Sequence, residues 1–197
     1  MRIGLLGGTF DPVHNGHLSL AEQMANAYHL DEVWFCIANQ SPFKRDHKAA
    51  SSVDRLSMLA LAVTKDPRFH ICDIELHLPS PSYTINTLKE LTKEFPEHEF
   101  FLIMGSDSAI EFEKWREPEE IIKYAKILVG LRGSSDTALI DKIKNEQIRN
   151  IIQKGLTNIF IDGISSTVIR NRIQEGKDCN SLVPANVLDY IGSHRLY

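Results

Sequence analysis

Short apolar runs alternate with stretches of helical period almost from one end of the chain to the other. Arg2–Leu6, Glu32–Ile37, His70–Leu76, Glu99–Met104, Lys126–Leu131 and Asn158–Ile161 are short and, as a group, rich in Ile, Leu, Val and Phe, so they predict strands. Few of them alternate strictly between polar and apolar, which is the pattern of strands buried on both faces. Between them, apolar residues recur at helical spacing, first from about Gly16 to Tyr28. Strand, helix, strand in repetition predicts a doubly wound α/β fold, a parallel sheet with helices on both faces. Pro184, ahead of ANVLDYI, suits the first turn of a C-terminal helix. A chain of 197 residues fits one domain over 1–197, with 163–197 as a helical C-terminal portion.

In such sheets ligands bind beyond the carboxyl ends of the strands, where the strand order reverses. GGTFDPVHNGH, residues 7–17, stands directly beyond the first predicted strand. Gly7 and Gly8 let the chain turn tightly and let backbone N–H groups approach a ligand with no Cβ in the way. The following helix points its positive end at the same spot. His14 and His17 fall on one side if the turn is helical and could donate hydrogen bonds to phosphate oxygens. Either histidine alone fits a solvated or capping role equally well. With Thr9 and Asp11 the set favours an anion cradle, in which Asp11 is a turn or helix-start residue. No Gly-Lys-Ser/Thr follows, no Gly-x-Gly-x-x-Gly is present, and spacing suggests no third metal ligand.

A second stretch, GISSTVIRNRI (163–173), carries a complementary signal. Ser165 and Ser166 suit helix N-caps. Arg170 is a cation in the first turns of that helix, mildly unfavourable unless an anion lies nearby, although a solvated arginine fits too. PSYTINTL (81–88) follows a proline-bearing loop and opens a helical pattern, so the N–H groups near Tyr83 and Thr84 could hold a carboxylate. Gly105-Ser106-Asp107 lies at a predicted strand end. Trp115, farther on, serves as a platform for a flat heteroaromatic ring or as a core aromatic.

Charge narrows the partners. A net charge of −4 and a pI near 6.1 give no long-range field for nucleic acid, so phosphate chemistry must be local. Cys36, Cys72 and Cys179 are odd in number, distant in sequence and without Cys-x-x-Cys spacing, which supports neither a disulfide framework nor a zinc knuckle. No apolar run approaches the roughly 20 residues that span a bilayer. A cytoplasmic protein without nucleic-acid or membrane partners is expected, and homo-oligomer formation stays open.

The opening stretch resembles the Gly-(Gly)-Thr-Phe-Asp-Pro-x-His-x-Gly-His signature of the nucleotidyltransferase superfamily, and Ser165–Arg170 resembles its Ser-Ser-Thr-x-Ile-Arg element. SYT…TL, GSD…W, ISSTVIR and the ending LVPANVLDYIGSHRLY, in this order, resemble the bacterial nicotinate mononucleotide adenylyltransferases over essentially the whole chain. The resemblance implies a Rossmann-like fold of nucleotidyltransferase type and transfer of AMP from ATP to nicotinate mononucleotide, giving deamido-NAD and pyrophosphate. It implies that Gly7, Gly8, Thr9, Phe10, His14 and His17 receive ATP, with Ile164, Ser166 and Arg170 on its other side. Gly105 and Asp107 would also bind ATP, Asp107 meeting nucleotide hydroxyls between the two substrates, while Tyr83, Thr84 and Trp115 would hold the nicotinate ring and carboxylate. His14, His17, Lys44 and Arg170 are the expected catalytic residues, and Mg²⁺ is expected to arrive with ATP rather than in a protein carboxylate cage. Two places depart from the family pattern. SPFK has Ser41 and Phe43 where Pro-Pro-His-Lys/Arg has proline and histidine, and Asn86 replaces a frequent Asp. The competing readings are a nicotinamide mononucleotide or phosphopantetheine adenylyltransferase, a non-catalytic nucleotide sensor, and a class I tRNA synthetase fragment.

Overall fold

The computed structural model describes residues 1–40, 49–131, 138, 140–159 and 164–197. Its centre is β1 (Arg2–Gly8), in which Ile3, Gly4, Leu5 and Leu6 are all buried, as a strand covered on both faces requires. Successive side chains point to opposite faces. Leu6 therefore joins a core with Leu18, Met24, Met58 and Ile169, whereas Leu5 joins one with Ile85, Leu88, Ile148 and Ile152. On the first face lie α1 (Asn15–Tyr28), α2 (Ser52–Val63), α8 (Ser166–Gln174) and α9 (Ala185–His194). On the second lie α4 (Thr84–Glu94), α6 (Pro118–Tyr124) and α7 (Glu146–Lys154). Two short helices, α3 (Ile74–His77) and α5 (Ser106–Ile110), follow strand ends.

Beside β1, the sheet contains β2 (Glu32–Ile37), β3 (Phe69–Cys72), β4 (Glu99–Gly105), β5 (Ala125–Leu131) and β6 (Leu156–Asn158), parallel throughout in the order β3-β2-β1-β4-β5-β6. The chain thus runs outward from β1 to β3, then returns to build β4 to β6 on the other side. Register shows what this reversal does. β1 pairs with β2 as far as Gly8↔Ile37, but with β4 only as far as Leu6↔Ile103. From Gly7 onward β1 and β4 part, leaving a crevice at the carboxyl end of the sheet, where such folds bind ligands.

Three expectations are corrected. The strand expected over His70–Leu76 stops at Cys72, and Ile74–His77 form a helical turn. Ile74 and Leu76 pack against opposite cores, and that turn buries Glu75, which a continued edge strand would not need to do. The last strand among the described residues is Leu156–Asn158, so it begins two residues before the expected Asn158–Ile161, of which 160 and 161 lie outside the described residues. The chain enters the sheet early because Gly155 lies against β5. Its carbonyl accepts the Val129 N–H at 2.8 Å, and a Cβ there would stand 2.0 Å from the Ile127 carbonyl oxygen. Pro184 is the N-cap of α9, one position before the first turn.

Candidate active site

The crevice opens into a cavity of about 970 Å³, at the upper end of the roughly 300–1,000 Å³ usual for small-molecule sites. Gly7 lines it. A Cβ added there would meet nothing within 4 Å, so the backbone faces open space that a ligand can enter closely. Three residues on, Phe10 takes a left-handed conformation with φ of 49°. That conformation costs a non-glycine residue about 1–3 kcal/mol and persists only when its surroundings enforce it. Here the ring is buried, 5.8 Å from Phe35 and edge-on to His17 at 5.1 Å.

His14 and His17 start α1. His14 is the N-cap, its backbone N–H donates to His17 Nδ1 at 3.3 Å, and the two rings stack with centroids 3.6 Å apart. An acceptor role for Nδ1 leaves the ring proton of neutral His17 on Nε2. The shared side expected for these rings is what the helix produces.

The turn between β1 and α1 is held by charged groups from distant parts of the chain. Arg55, on α2 and only 3% exposed, donates through Nη1 to the carbonyls of Thr9 and Ala38, both at 2.8 Å. Burial pulls its guanidinium pKa down, and Asp11 and Tyr197 pull it partly back. Asp11, buried and in the turn as expected, accepts through Oδ1 from the Tyr197 hydroxyl at 2.7 Å and from the Ala50 N–H at 3.1 Å. Burial, and then the bond to Asp11, push the Tyr197 phenol pKa well up.

On α8, Ser165 is the N-cap and accepts from the Val168 N–H at 3.3 Å. Ser166 stands one residue inside the helix and donates its hydroxyl to the Pro12 carbonyl at 3.0 Å. Arg170 donates to the Asp11 carbonyl at 2.8 Å, with Asp11 Oδ2 3.7 Å from Nη1. The anion whose presence would suit Arg170 is therefore Asp11 in this structure. The two motifs, more than 150 residues apart in sequence, meet at Asp11-Pro12.

Across the crevice, Tyr83 is the N-cap of α4 and Thr84 its first residue. Trp115 follows a 3-10 turn and packs at 5.3 Å against buried Phe112. Gly105 is the N-cap of α5 and Asp107 lies in its first turn. Each of these, with Gly8, Thr9, Ile164, Ser166 and Arg170, borders the cavity. Lys44 and the departures Ser41 and Phe43 lie outside the described residues. Asn86 is in the first turn of α4.

Sequence reasoning passed over Arg55, Glu75, Arg116 and Tyr197. Glu75 borders the cavity and accepts the Thr87 hydroxyl at 2.7 Å. Burial raises its carboxyl pKa, and hydrogen bonds from Thr87 and Ser82 only partly offset this. The Arg116 guanidinium lies over the Tyr83 ring. A charge inside an apolar periodic stretch, as in SVDRLSMLALAV and ICDIEL, was the available signal for Arg55 and Glu75. The cysteines, distant in sequence, are not all distant in space, since Cys36 and Cys72 are register partners on β2 and β3. Both are free thiols, and a hydrogen bond to Cys72 together with burial raises the Cys36 thiol pKa.

Among the described residues, no group of three or more His, Cys, Asp or Glu could hold a metal ion, and no helix is long and apolar enough to cross a membrane. Residues 5–172 match the cytidylyltransferase-like family. The chain is similar along its whole length to proteins named probable nicotinate-nucleotide adenylyltransferase. It is 36% identical to that of Cytophaga hutchinsonii, covering 98% of the relative, and 38% identical to that of Flavobacterium johnsoniae, covering 99%. Its fold is similar to that of Plasmodium falciparum nicotinic acid mononucleotide adenylyltransferase complexed with NaAD. The TM-score is 0.78 at 22% identity, covering 100% of this chain and 97% of the other.

Proposed function

The chain belongs to the cytidylyltransferase-like family and, within it, to the nicotinate-nucleotide adenylyltransferases, and from that membership we propose that it transfers AMP from ATP to nicotinate mononucleotide. The products are deamido-NAD and pyrophosphate, a step of NAD biosynthesis. The observation that carries the proposal is the joining of the two motifs at Asp11-Pro12 on one wall of a cavity whose other wall bears Tyr83 and Trp115.

The attacking atom is an oxygen of the mononucleotide 5′-phosphate. It forms a bond to the α-phosphorus of ATP as the bond from that phosphorus to the α–β bridging oxygen breaks and pyrophosphate leaves. A phosphate monoester has its second pKa at about 6 and is already largely dianionic near neutrality, so no general base is needed. What remains is alignment and neutralisation of charge. Gly7, Gly8, Thr9 and Phe10 admit the ATP phosphates to the main chain. His14 and His17 donate to them, His17 through Nε2. Ile164 and Ser166 close the opposite side, Gly105 borders the ATP, and Asp107 meets nucleotide hydroxyls between the two substrates. Arg170 has five N–H donors, so it can reach phosphate oxygens while anchored to the Asp11 carbonyl. Lys44 is proposed as a further cation. Tyr83, Thr84 and Trp115 receive the nicotinate ring and its carboxylate.

Mg²⁺ is proposed to come with the ATP phosphates, where it neutralises charge, since the described residues include no ligand cage for it. A cytoplasmic setting belongs to the same proposal and suits three buried free thiols. The test is pyrophosphate release by purified protein with ATP and Mg²⁺, offering nicotinate mononucleotide, nicotinamide mononucleotide and phosphopantetheine separately. Strong preference for the nicotinate compound is expected. Preference for another acceptor overturns the assignment of Tyr83, Thr84 and Trp115, and silence with all three overturns catalysis.

A further inference from the structure

Two cations stand on the loop that carries Trp115, and their surroundings differ. Lys114 faces Glu111 at 2.6 Å. Arg116 has its Nε 3.5 Å from Glu117, but that carboxylate is shared with Lys89, whose Nζ is 3.4 Å away. The positive charge of Arg116 is therefore the less completely neutralised of the two. The guanidinium also has a fixed seat, with its carbon 4.8 Å from the centroid of the Tyr83 ring, and the residue borders the cavity. Stacking on an aromatic face orients the planar fork and leaves its edge donors to bond in that plane.

We propose that Arg116 is a specificity-determining residue of the acceptor site, favouring a mononucleotide with a carboxylate on its ring over one with a carboxamide. The inference rests on the adenylyl-transfer reading above and adds a residue to it. A guanidinium has donors only. Toward a carboxylate it makes a charge-assisted hydrogen bond, about twice as strong as its bond to a neutral acceptor. A carboxamide offers one neutral oxygen and presents an NH₂ group that donors cannot satisfy. Backbone N–H groups at the start of α4 favour the same charge, so the preference is divided between main chain and side chain. Because the Arg116 side chain is 54% exposed, solvent screens its share, and about a tenfold effect is expected.

The experiment measures kcat/KM for nicotinate and nicotinamide mononucleotides at saturating ATP and Mg²⁺, in the wild type, Arg116→Gln and Arg116→Lys. Arg116→Gln is expected to lose about tenfold with the nicotinate compound and to change less than about twofold with the nicotinamide compound. Arg116→Lys, which keeps the charge but not the planar fork seated on the Tyr83 ring, is expected to fall between the wild type and Arg116→Gln. Raising salt should erode the preference of the wild type more than that of Arg116→Gln. An equal loss with both acceptors overturns the proposal, because it assigns Arg116 to the phosphate they share or to the fold. An unchanged ratio overturns it as well. Wild-type turnover of the nicotinate compound is read first. Its absence defeats the proposed function, whereas normal turnover with unchanged selectivity in Arg116→Gln defeats the role of Arg116 alone.

Discussion

The two walls of the cavity, which we propose receive the nucleotide and the acceptor, are built by different means. On the nucleotide side, the turn after β1 is bonded through its own main chain to side chains brought from far along the sequence. Arg55 takes the Thr9 carbonyl, Ser166 that of Pro12 and Arg170 that of Asp11, while Tyr197 takes the Asp11 carboxylate. On the acceptor side, the wall is made of rings and a helix end: Tyr83 under Arg116, Trp115 against Phe112, and Thr84 opening α4. The contrast suits what the proposed reaction asks of each wall. Phosphoryl transfer requires donors fixed before the reaction, because reorganisation during the step adds to the barrier. Choosing between two flat rings requires shape and one well-placed charge.

The comparison is broken most severely at His17. His17→Ala is expected to lower kcat by about 100-fold or more while the fold persists with a melting temperature lower by several degrees, because it removes a proposed phosphate donor together with the bond to the His14 N–H and the edge contact with Phe10. Pyrophosphate release and a thermal melt measure the two parts, and unchanged turnover would remove His17 from the mechanism. Arg55→Ala comes next. It leaves the Thr9 and Ala38 carbonyls without their buried donor and is expected to cost about 2–4 kcal/mol in a denaturant titration, raising the KM for ATP more than that for the acceptor. Tyr197→Phe keeps the ring and loses one bond to a carboxylate, a cost of about 1–2 kcal/mol. Its ATP KM should rise a few-fold while selectivity between acceptors stays as in the wild type. Equal effects on both substrates would show that the two walls are not independent.

The fold was legible because a sheet buried on both faces writes itself as apolar runs, and β1, β2, β4 and β5 fall where those runs are. The edges were less legible. β3 and β6 pair on one side only, so their limits depend on Glu75 turning inward and on Gly155 lying against β5. The nucleotide wall was readable in part because glycines and paired histidines are unusual together. The residues that brace it were not, because Arg55 and Tyr197 act on the main chain of another segment, and a bond from Arg55 to the Thr9 carbonyl leaves no mark on the identity of Thr9. The acceptor wall was readable at its rings and at the helix start formed by Tyr83 and Thr84. Arg116 is one of many surface arginines until the Tyr83 ring is seen beneath it.

The smallest expected effect sharpens the contrast through pH. Glu75 lies behind the acceptor wall, where burial raises its carboxyl pKa above the ordinary value and bonds from Thr87 and Ser82 recover only part of the difference. A carboxyl whose folded pKa is raised holds its proton more tightly in the folded protein than in the unfolded chain. Its contribution to stability is therefore fully present below the unfolded pKa, and it is lost as pH rises through the folded one. Asp54 and Asp66 run the other way. A Ser51 hydrogen bond lowers the first and an Arg68 hydrogen bond the second, so what they contribute is present above the usual carboxylate range and is lost as pH falls through their depressed values. Glu75→Gln keeps an oxygen to accept the Thr87 hydroxyl and removes the titration. Melting temperatures taken from pH 4 to 8 should show the variant gaining on the wild type as pH rises, with the two converging toward acid. Parallel curves would mean that Glu75 ionises in the fold as readily as in the open chain, its burial being offset in full by the bonds from Thr87 and Ser82.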